Sequence, residues 1–213
     1  MNQFRLSKNI ALEITLIDRL PVGFQDNFRK KLNENNNSYW QTLSEARAII
    51  IFNNLGIQVK EIDVKTIKNK NVDFFVILEN EKIYSEVKGF VPEDYEVAKR
   101  GSNYFDKQEY EMMIERALKR ANKKFIDENL NIVVIADENS IKSSLFREPL
   151  LNNLPEDVLW NYPKISAVMI LGEYNNEDMF KYKIWYNIHS QKSLSKNLIN
   201  ILNTNKTQHI LLE

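Results

Sequence analysis

The segment between Val72 and Lys88 constrains the fold of this chain more than any other part of the sequence. It contains two strand-like runs, Val72–Leu78 and Ile83–Lys88, separated by four polar residues. Two such runs joined by a short polar turn predict an antiparallel β-hairpin. Because side chains alternate between the two faces of a strand, the register of this hairpin decides which residues can act together.

The predicted hairpin brings three charged side chains to one face. With a two-residue loop at Asn80–Glu81, paired residue numbers sum to 161, so that Asp73 lies opposite Lys88 and Phe75 lies opposite Glu86. Opposed residues share a face, and so do residues two apart on one strand. Asp73, Glu86 and Lys88 therefore point to the same side, provided that the loop has an even number of residues.

Two carboxylates and an ammonium are costly to bury on an apolar sheet unless something compensates them, and a divalent cation would do so. The chain has no cysteine and only two histidines, His189 and His209, so a metal site must use oxygen ligands. Such ligands suit Mg²⁺ or Mn²⁺. Asp73 and Glu86 would bind the metal, and Lys88 would orient or help deprotonate an attacking water, as phosphodiester hydrolysis requires.

These residues also have a purely structural interpretation. An exposed sheet face with a cross-strand ion pair would contribute under about 1 kcal/mol. The apolar residues on either side of the charged positions favour the functional interpretation over this one. A second acid-x-lysine pattern, Asp63-Val64-Lys65, ends a strand that runs into a polar loop, and we interpret it as incidental.

Periodicity places further elements around the hairpin. Residues 9–20 form a strand or short helix that must break at Pro21 and Gly23. The polar stretch from Asn33 to Ser38 is the best linker candidate, so we divide the chain into an N-terminal extension, 1–38, packed on or linked to a core domain, 39–213. The remaining predictions are a helix at 43–55 stopped by Gly56, a strand at 57–65, a long helix at about 103–127, strands at 131–136, 166–171 and 183–187, and a short helix at 194–202. This order predicts an α/β fold with a mixed central β-sheet flanked by helices.

Three parts of the sequence belong together: the residues from Val72 to Val76, those from Ser85 to Gly89, and a preceding helix that bears Glu45. Together they resemble the PD-(D/E)xK nuclease superfamily, which has the restriction-endonuclease-like fold. The resemblance covers residues 42–136. It implies a metal-dependent nuclease with Mg²⁺ or Mn²⁺ as cofactor and a homodimer as a common assembly. We expect the substrate to be DNA, and a nuclease that acts on RNA stays open as a weaker alternative. The residues to which it assigns roles are Asp73 and Glu86 as metal ligands, Val87 as a carbonyl ligand, Lys88 as the catalytic lysine, and Glu45 as an additional acid.

Two alternatives remain open at this point. Thr42-Leu43-Ser44-Glu45 fits a capping box, in which Glu45 would bond back to the amide of Thr42 instead of serving the site. The whole domain could also be a binding or scaffolding protein in a nucleic-acid-processing assembly, which keeps the nuclease fold without turnover.

The net charge is zero, so affinity for nucleic acid must come from a local basic patch. The long helix carries Arg116 and Arg120 at a spacing that places them on one face, together with Lys119, Lys123 and Lys124. A solvated face that complements the helix dipole is the alternative, and the pattern favours it. Lys99 and Arg100 are further candidates for contacting the scissile phosphate.

The sequence shows neither a membrane span nor a secretory signal. No apolar run approaches the roughly 18 residues that a span needs, and the N-terminal segment lacks a continuous apolar region. We therefore expect a cytoplasmic protein that does not associate with membranes.

Overall fold

A mixed β-sheet organises the chain. The computed structural model describes residues 10–34, 39–66, 70–78, 80–90, 107–137, 156–173, 180–204 and 207–208. In this part of the chain seven strands follow one another across the sheet in sequence order. They are β1 (Val59–Lys65), β2 (Asn71–Leu78), β3 (Glu81–Phe90), β4 (Leu130–Asp137), β5 (Ala167–Glu173), β6 (Phe180–Tyr186) and the two-residue β7 (Thr207–Gln208).

The centre of the sheet is parallel and its two sides are antiparallel. β3, β4 and β5 run parallel, whereas β1–β2, β2–β3, β5–β6 and β6–β7 pair antiparallel. Parallel neighbours need long crossover connections, which usually cover a face of the sheet with helices. β4 is accordingly buried from Leu130 to Ala136, without the alternation of a one-sided strand.

Helices cover both faces of this sheet. They are α1 (Ile10–Arg19), α2 (Val22–Glu34), α3 (Tyr39–Asn54), α4 (Lys107–Asn122), α5 (Glu156–Trp160) and α6 (Lys196–Thr204). Apolar residues of α1, α2, α3 and α6 share one core cluster with one face of the sheet, and those of α4 and α5 share a second cluster with the other face. The predicted mixed sheet flanked by helices is confirmed, and the later strands and α6 lie within a few residues of their predicted positions.

The central helix α3 is buried on nearly all sides. Thirteen of its sixteen residues are buried, because α1 and α2 cover the side that faces away from the sheet. It begins at Tyr39, four residues before the predicted start at Leu43. Its end is as predicted: Gly56 has a positive φ of 76°, and Ile57 N donates to Phe52 O at 2.9 Å, which closes the helix with a Schellman motif.

The described part of the N-terminal segment, residues 10–34, is helical. Pro21 separates α1 from α2 as predicted, but Gly23 lies inside α2 and does not interrupt it. The buried side chains of Leu16, Phe28 and Leu32 join the same core cluster as α3. A domain division at residue 38 stays a prediction, and residues 35–38 of the suggested linker lie outside the described part of the chain.

The predicted β2–β3 hairpin is confirmed, but its predicted register is wrong by two residues. Paired residue numbers sum to 159, so Leu78 pairs with Glu81, and the two-residue loop consists of residues 79 and 80 instead of Asn80 and Glu81. This register pairs Phe75 with Tyr84, with ring centroids 5.9 Å apart, whereas the predicted register would have placed Glu86 opposite the Phe75 ring. The loop length is still even, so the residues that share a face are unchanged.

The long helix predicted at 103–127 is shorter than expected at its C-terminal end. α4 ends at Asn122, and a turn follows in which Lys124 N donates to Ala121 O at 2.9 Å. Phe125 still packs on the same core as Ile114 and Ala121, as its helical spacing predicted. Residues 103–106 lie outside the described ranges.

Candidate active site

The candidate site lies where β2 and β3 stop pairing. The last residue pair of their ladder is Phe74 with Ser85, and Asp73 is the next residue of β2. Instead of continuing the ladder with its backbone, Asp73 accepts a hydrogen bond on Oδ2 from the backbone N–H of Val87 at 2.6 Å. The carboxylate is thereby held close to the plane of the sheet, between the helical layers on its two sides.

A second side chain continues the ladder beyond Asp73. Gln41, on α3, donates from Nε2 to the Val87 carbonyl oxygen at 3.0 Å and accepts on Oε1 from the Gly89 N–H at 2.9 Å. Its amide thus presents a donor and an acceptor to β3, as a neighbouring strand would. Sequence reasoning missed Gln41, and its only signal was a position one helical turn before Glu45.

Gly89 lets α3 approach β3 this closely. A Cβ atom at this position would lie 2.6 Å from Ser44 Oγ and 3.4 Å from Gln41 Oε1. Real Cβ atoms essentially never come within 3.0 Å of a neighbouring heavy atom. A glycine directly after Lys88 is therefore part of what places α3, and with it Glu45, beside the end of β3.

Glu86 is the most deeply buried charged residue of the site. Its residue surface is 0% exposed, and it points toward the α4 side of the sheet. Oε1 contacts the ammonium groups of both Lys88 and Lys124, the latter at 2.5 Å. Oε2 is buried and has no hydrogen-bond partner among the described residues. A carboxylate oxygen in that position carries a desolvation cost that a bound cation would offset.

The electrostatics of Asp73 reflect its position between two other acids. Burial raises the pKa of the Asp73 carboxyl well above its usual range, and the charges of Glu45 and Glu86 raise it further. Lys88 and the Val87 N–H act in the opposite direction but do not cancel these effects. Without an additional positive charge the site thus favours protonation of Asp73.

Glu45 belongs to this constellation and does not cap a helix. Because α3 begins at Tyr39, Thr42 lies inside the helix, and the alternative interpretation of Thr42 to Glu45 as a capping box is wrong. Glu45 accepts hydrogen bonds from Gln41 Nε2 at 3.2 Å and from Lys31 Nζ at 3.3 Å. Burial raises the pKa of the Glu45 carboxyl, although Lys31 and Gln41 lower it.

Lys31 joins α2 to the site and to the edge strand β1. Its ammonium contacts Asp63 Oδ1 at 2.9 Å as well as Glu45. Burial lowers the pKa of Lys31, but the two carboxylates more than offset this, and the net pKa is raised. Asp63 adopts a positive φ of 55°, a sparsely populated conformation for a non-glycine residue. Our interpretation of Asp63 as incidental thus overlooked a link to Glu45 through Lys31.

The predicted nucleic-acid-binding residues are only partly placed. Arg116 and Arg120 are exposed on α4, as a phosphate-contacting stripe or a solvated face would both require. Lys99 and Arg100 lie outside the described residues. Lys124, which the sequence grouped with the helical stripe, instead turns inward and contacts Glu86.

The residues of the site fit a hard divalent cation by the chemistry of their donors. Asp73 and Glu86 offer carboxylate oxygens, and the Val87 carbonyl, although bonded to Gln41, keeps a second lone pair. In the described ranges, no group of three or more Asp, Glu, His or Cys side chains is placed so that it could hold a metal ion by itself. Water and substrate oxygens would therefore have to complete the coordination, as is usual for Mg²⁺.

No family model matches this chain, and the search of curated proteins gives no match. The resemblance to the PD-(D/E)xK superfamily consequently rests on the residues quoted for it and stays a prediction. Within the described residues, no helix has the length and apolar character needed to cross a membrane.

Proposed function

We propose that this chain is a metal-dependent nuclease of the PD-(D/E)xK type, which hydrolyses phosphodiester bonds in DNA with Mg²⁺ or Mn²⁺. The observation that carries this proposal is the Glu86 carboxylate. It is fully buried, it has one oxygen without a hydrogen-bond partner among the described residues, and it lies in the same electrostatic cluster as Asp73 and Lys88. A buried acid of this kind supports a functional site, because nothing among the described residues offsets the desolvation of its second oxygen.

In this proposal each residue of the site has a distinct role. Asp73 and Glu86 would hold the cation, with the Val87 carbonyl beside them and Glu45 as a further acid at the α3 edge. The bound cation would neutralise charge on the scissile phosphate and lower the pKa of a coordinated water. Lys88, 21% exposed at its side chain, lies between the buried Glu86 and solvent, where its ammonium could orient the attacking water and stabilise the negative charge that develops on phosphate.

One observation favours a second candidate, a non-catalytic protein of the same fold that binds nucleic acid. The ammonium groups of Lys88 and Lys124 both contact Oε1 of Glu86, so much of its charge is compensated by the protein itself. In that case the cluster would be a structural ion-pair network, and divalent metal would be unnecessary.

Metal binding and cleavage, measured on the same samples, separate these candidates. We expect wild-type protein to bind Mn²⁺ by calorimetry and to cleave plasmid or single-stranded DNA only when Mn²⁺ or Mg²⁺ is present. Lys88→Ala and Asp73→Ala should abolish cleavage while circular dichroism shows an intact fold. Lys65→Ala is the matched control, since Lys65 ends the other acid-x-lysine pattern and is exposed.

Two outcomes of these experiments would contradict parts of the proposal. Metal-dependent cleavage that survives in Lys88→Ala would remove Lys88 from the mechanism. Wild-type protein that binds DNA but neither binds Mn²⁺ nor cleaves would support the non-catalytic candidate and contradict the proposed activity.

A further inference from the structure

Lys124 differs from the other basic residues at the end of α4. Lys119, Arg120 and Lys123 are exposed, whereas the Lys124 side chain is only 31% exposed and its Nζ lies 2.5 Å from Glu86 Oε1. Residue 124 follows the end of the helix by two positions, so its direction is set by the turn and not by the helical stripe.

The turn that carries Lys124 is held on both sides. Lys124 N donates to Ala121 O at 2.9 Å, and the next residue, Phe125, is fully buried in the core on this face of the sheet. The carbonyl oxygen of Lys123 accepts a hydrogen bond from Lys70 Nζ at 3.0 Å, which ties the turn to the beginning of β2. These contacts aim the Lys124 side chain at Glu86.

Lys88 and Lys124 contact the same carboxylate oxygen in different ways. Lys88 lies two residues from Glu86 on the same strand, so the hairpin that places one also places the other. Lys124 reaches Glu86 across the α4 side of the sheet, with a long flexible stem and access to solvent. Lys124 is the more exposed of the two lysines, 31% against 21% for Lys88, and it lies outside the hairpin, so its ammonium can withdraw from Glu86 without disturbing β3.

We infer that Lys124 is a positioning residue that competes with the divalent cation for Glu86 and so sets the metal affinity of the site. This inference rests on the proposed function. An ammonium in contact with Glu86 repels a second cation at the same carboxylate, because like charges a few ångströms apart in a buried site interact strongly. A cation bound at Oε2, which has no hydrogen-bond partner among the described residues, therefore favours movement of Lys124 toward solvent, and the return of Lys124 compensates Glu86 when the metal leaves.

Calorimetric titration with Mn²⁺ tests this directly, on the full chain and without DNA. Lys124→Met and Lys124→Gln remove the charge, and each should tighten Mn²⁺ binding about tenfold. Lys124→Arg keeps the charge and should bind Mn²⁺ as the wild type does. Lys123→Met, one residue away and exposed, is the matched control and should also leave the affinity unchanged.

Thermal unfolding of the same proteins supplies a second readout. In EDTA, Lys124→Met should melt at a lower temperature than wild type, because Glu86 loses one of the two cationic partners that it has among the described residues. Saturating Mn²⁺ should raise its Tm more than it raises that of wild type. A merely structural lysine would instead weaken metal binding when removed, because the site around Glu86 would loosen.

The failure of this inference can be told apart from that of the proposed function. If wild type binds Mn²⁺ and both charge-removing variants bind it equally well or more weakly, the competition by Lys124 is overturned and the nuclease proposal stands. If wild type binds no Mn²⁺, both are overturned.

Discussion

Asp73 Oδ2 accepts a hydrogen bond of 2.6 Å from the backbone N–H of Val87, at the point where the pairing of β2 with β3 has ended. The acid therefore occupies the gap between two separating strands and not simply one face of a hairpin. From this position it interacts with Glu45 on α3 and with Glu86 and Lys88 on β3. Glu45, on the α3 side of the sheet, and Glu86, which points to the α4 side, both raise the pKa of Asp73.

The position of Asp73 predicts how the metal-free protein responds to pH. Because burial and the charges of Glu45 and Glu86 raise the pKa of Asp73 in the folded state, the folded protein holds a proton that the unfolded chain has already lost. Stability should fall as pH rises from the usual aspartate pKa through the raised one. Asp73→Asn cannot ionise and retains an acceptor for the Val87 N–H, so in EDTA it should have a higher Tm than wild type at neutral pH.

Differential scanning calorimetry in EDTA, between about pH 4 and pH 8, checks this prediction. The two melting curves should approach each other toward acid pH, where wild-type Asp73 is also neutral. A Tm for Asp73→Asn that is lower than that of wild type at neutral pH would mean that the ionised carboxylate stabilises the fold, contrary to the direction of its pKa shift.

The sequence allowed the hairpin to be predicted because its signals are local. Two strand-like runs and a polar turn determine that β2 and β3 pair, and the even loop length determines which residues share a face. The register itself depends on side chains that meet only in the fold, such as the rings of Phe75 and Tyr84. The spacing of apolar residues along the sequence carries no information about which side chains meet across the hairpin.

Exposed arginines on α4 give a prediction about nucleic-acid binding. If Arg116 and Arg120 contact phosphates, replacing both by glutamate should weaken DNA binding and reduce the slope of log K against log salt by roughly 2, since each phosphate contact contributes about 0.9. Fluorescence anisotropy with a labelled duplex over a series of salt concentrations measures this slope.

The matched control reverses two exposed lysines that lie outside α4. Lys196 begins α6, whose buried residues pack with α3, and Lys192 lies in the segment that precedes it. Lys192→Glu with Lys196→Glu changes the net charge equally but should leave the slope near that of wild type. Equal losses in both double variants would show a nonspecific charge effect, and no loss in either would make the α4 stripe a solvated face.

The contributions of Gln41 and Lys124 could not have been read from the sequence. Gln41 acts because α3 lies against the end of β3, and Lys124 acts because a turn after α4 directs it inward. Both depend on packing between elements that are far apart in the chain. Acidic residues in an apolar stretch indicate a functional site, because burying a carboxylate is costly. A glutamine, or one lysine among several, gives no such indication.

Gly89 is the residue that makes this packing possible, and its substitution tests the arrangement of α3 against β3. In Gly89→Ala the new Cβ would lie 2.6 Å from Ser44 Oγ, and Ser44 is fully buried with a short side chain that cannot move far. Overpacking of this kind should lower the free energy of unfolding by about 1–3 kcal/mol, measured by urea denaturation. Gly23→Ala is the control, because nothing lies within 4 Å of a Cβ there and alanine favours the helix.

A double-mutant cycle with Ser44→Ala identifies the contact responsible. Removing Ser44 Oγ eliminates the 2.6 Å approach and leaves the Ser44 Cβ at 3.3 Å, a distance that small adjustments can accommodate. Gly89→Ala should therefore cost at least about 0.5 kcal/mol less in the Ser44→Ala background than in wild type. An equal cost in both backgrounds would place the strain elsewhere, and the close approach of α3 to Gly89 would then not be what positions Gln41 and Glu45 at the site.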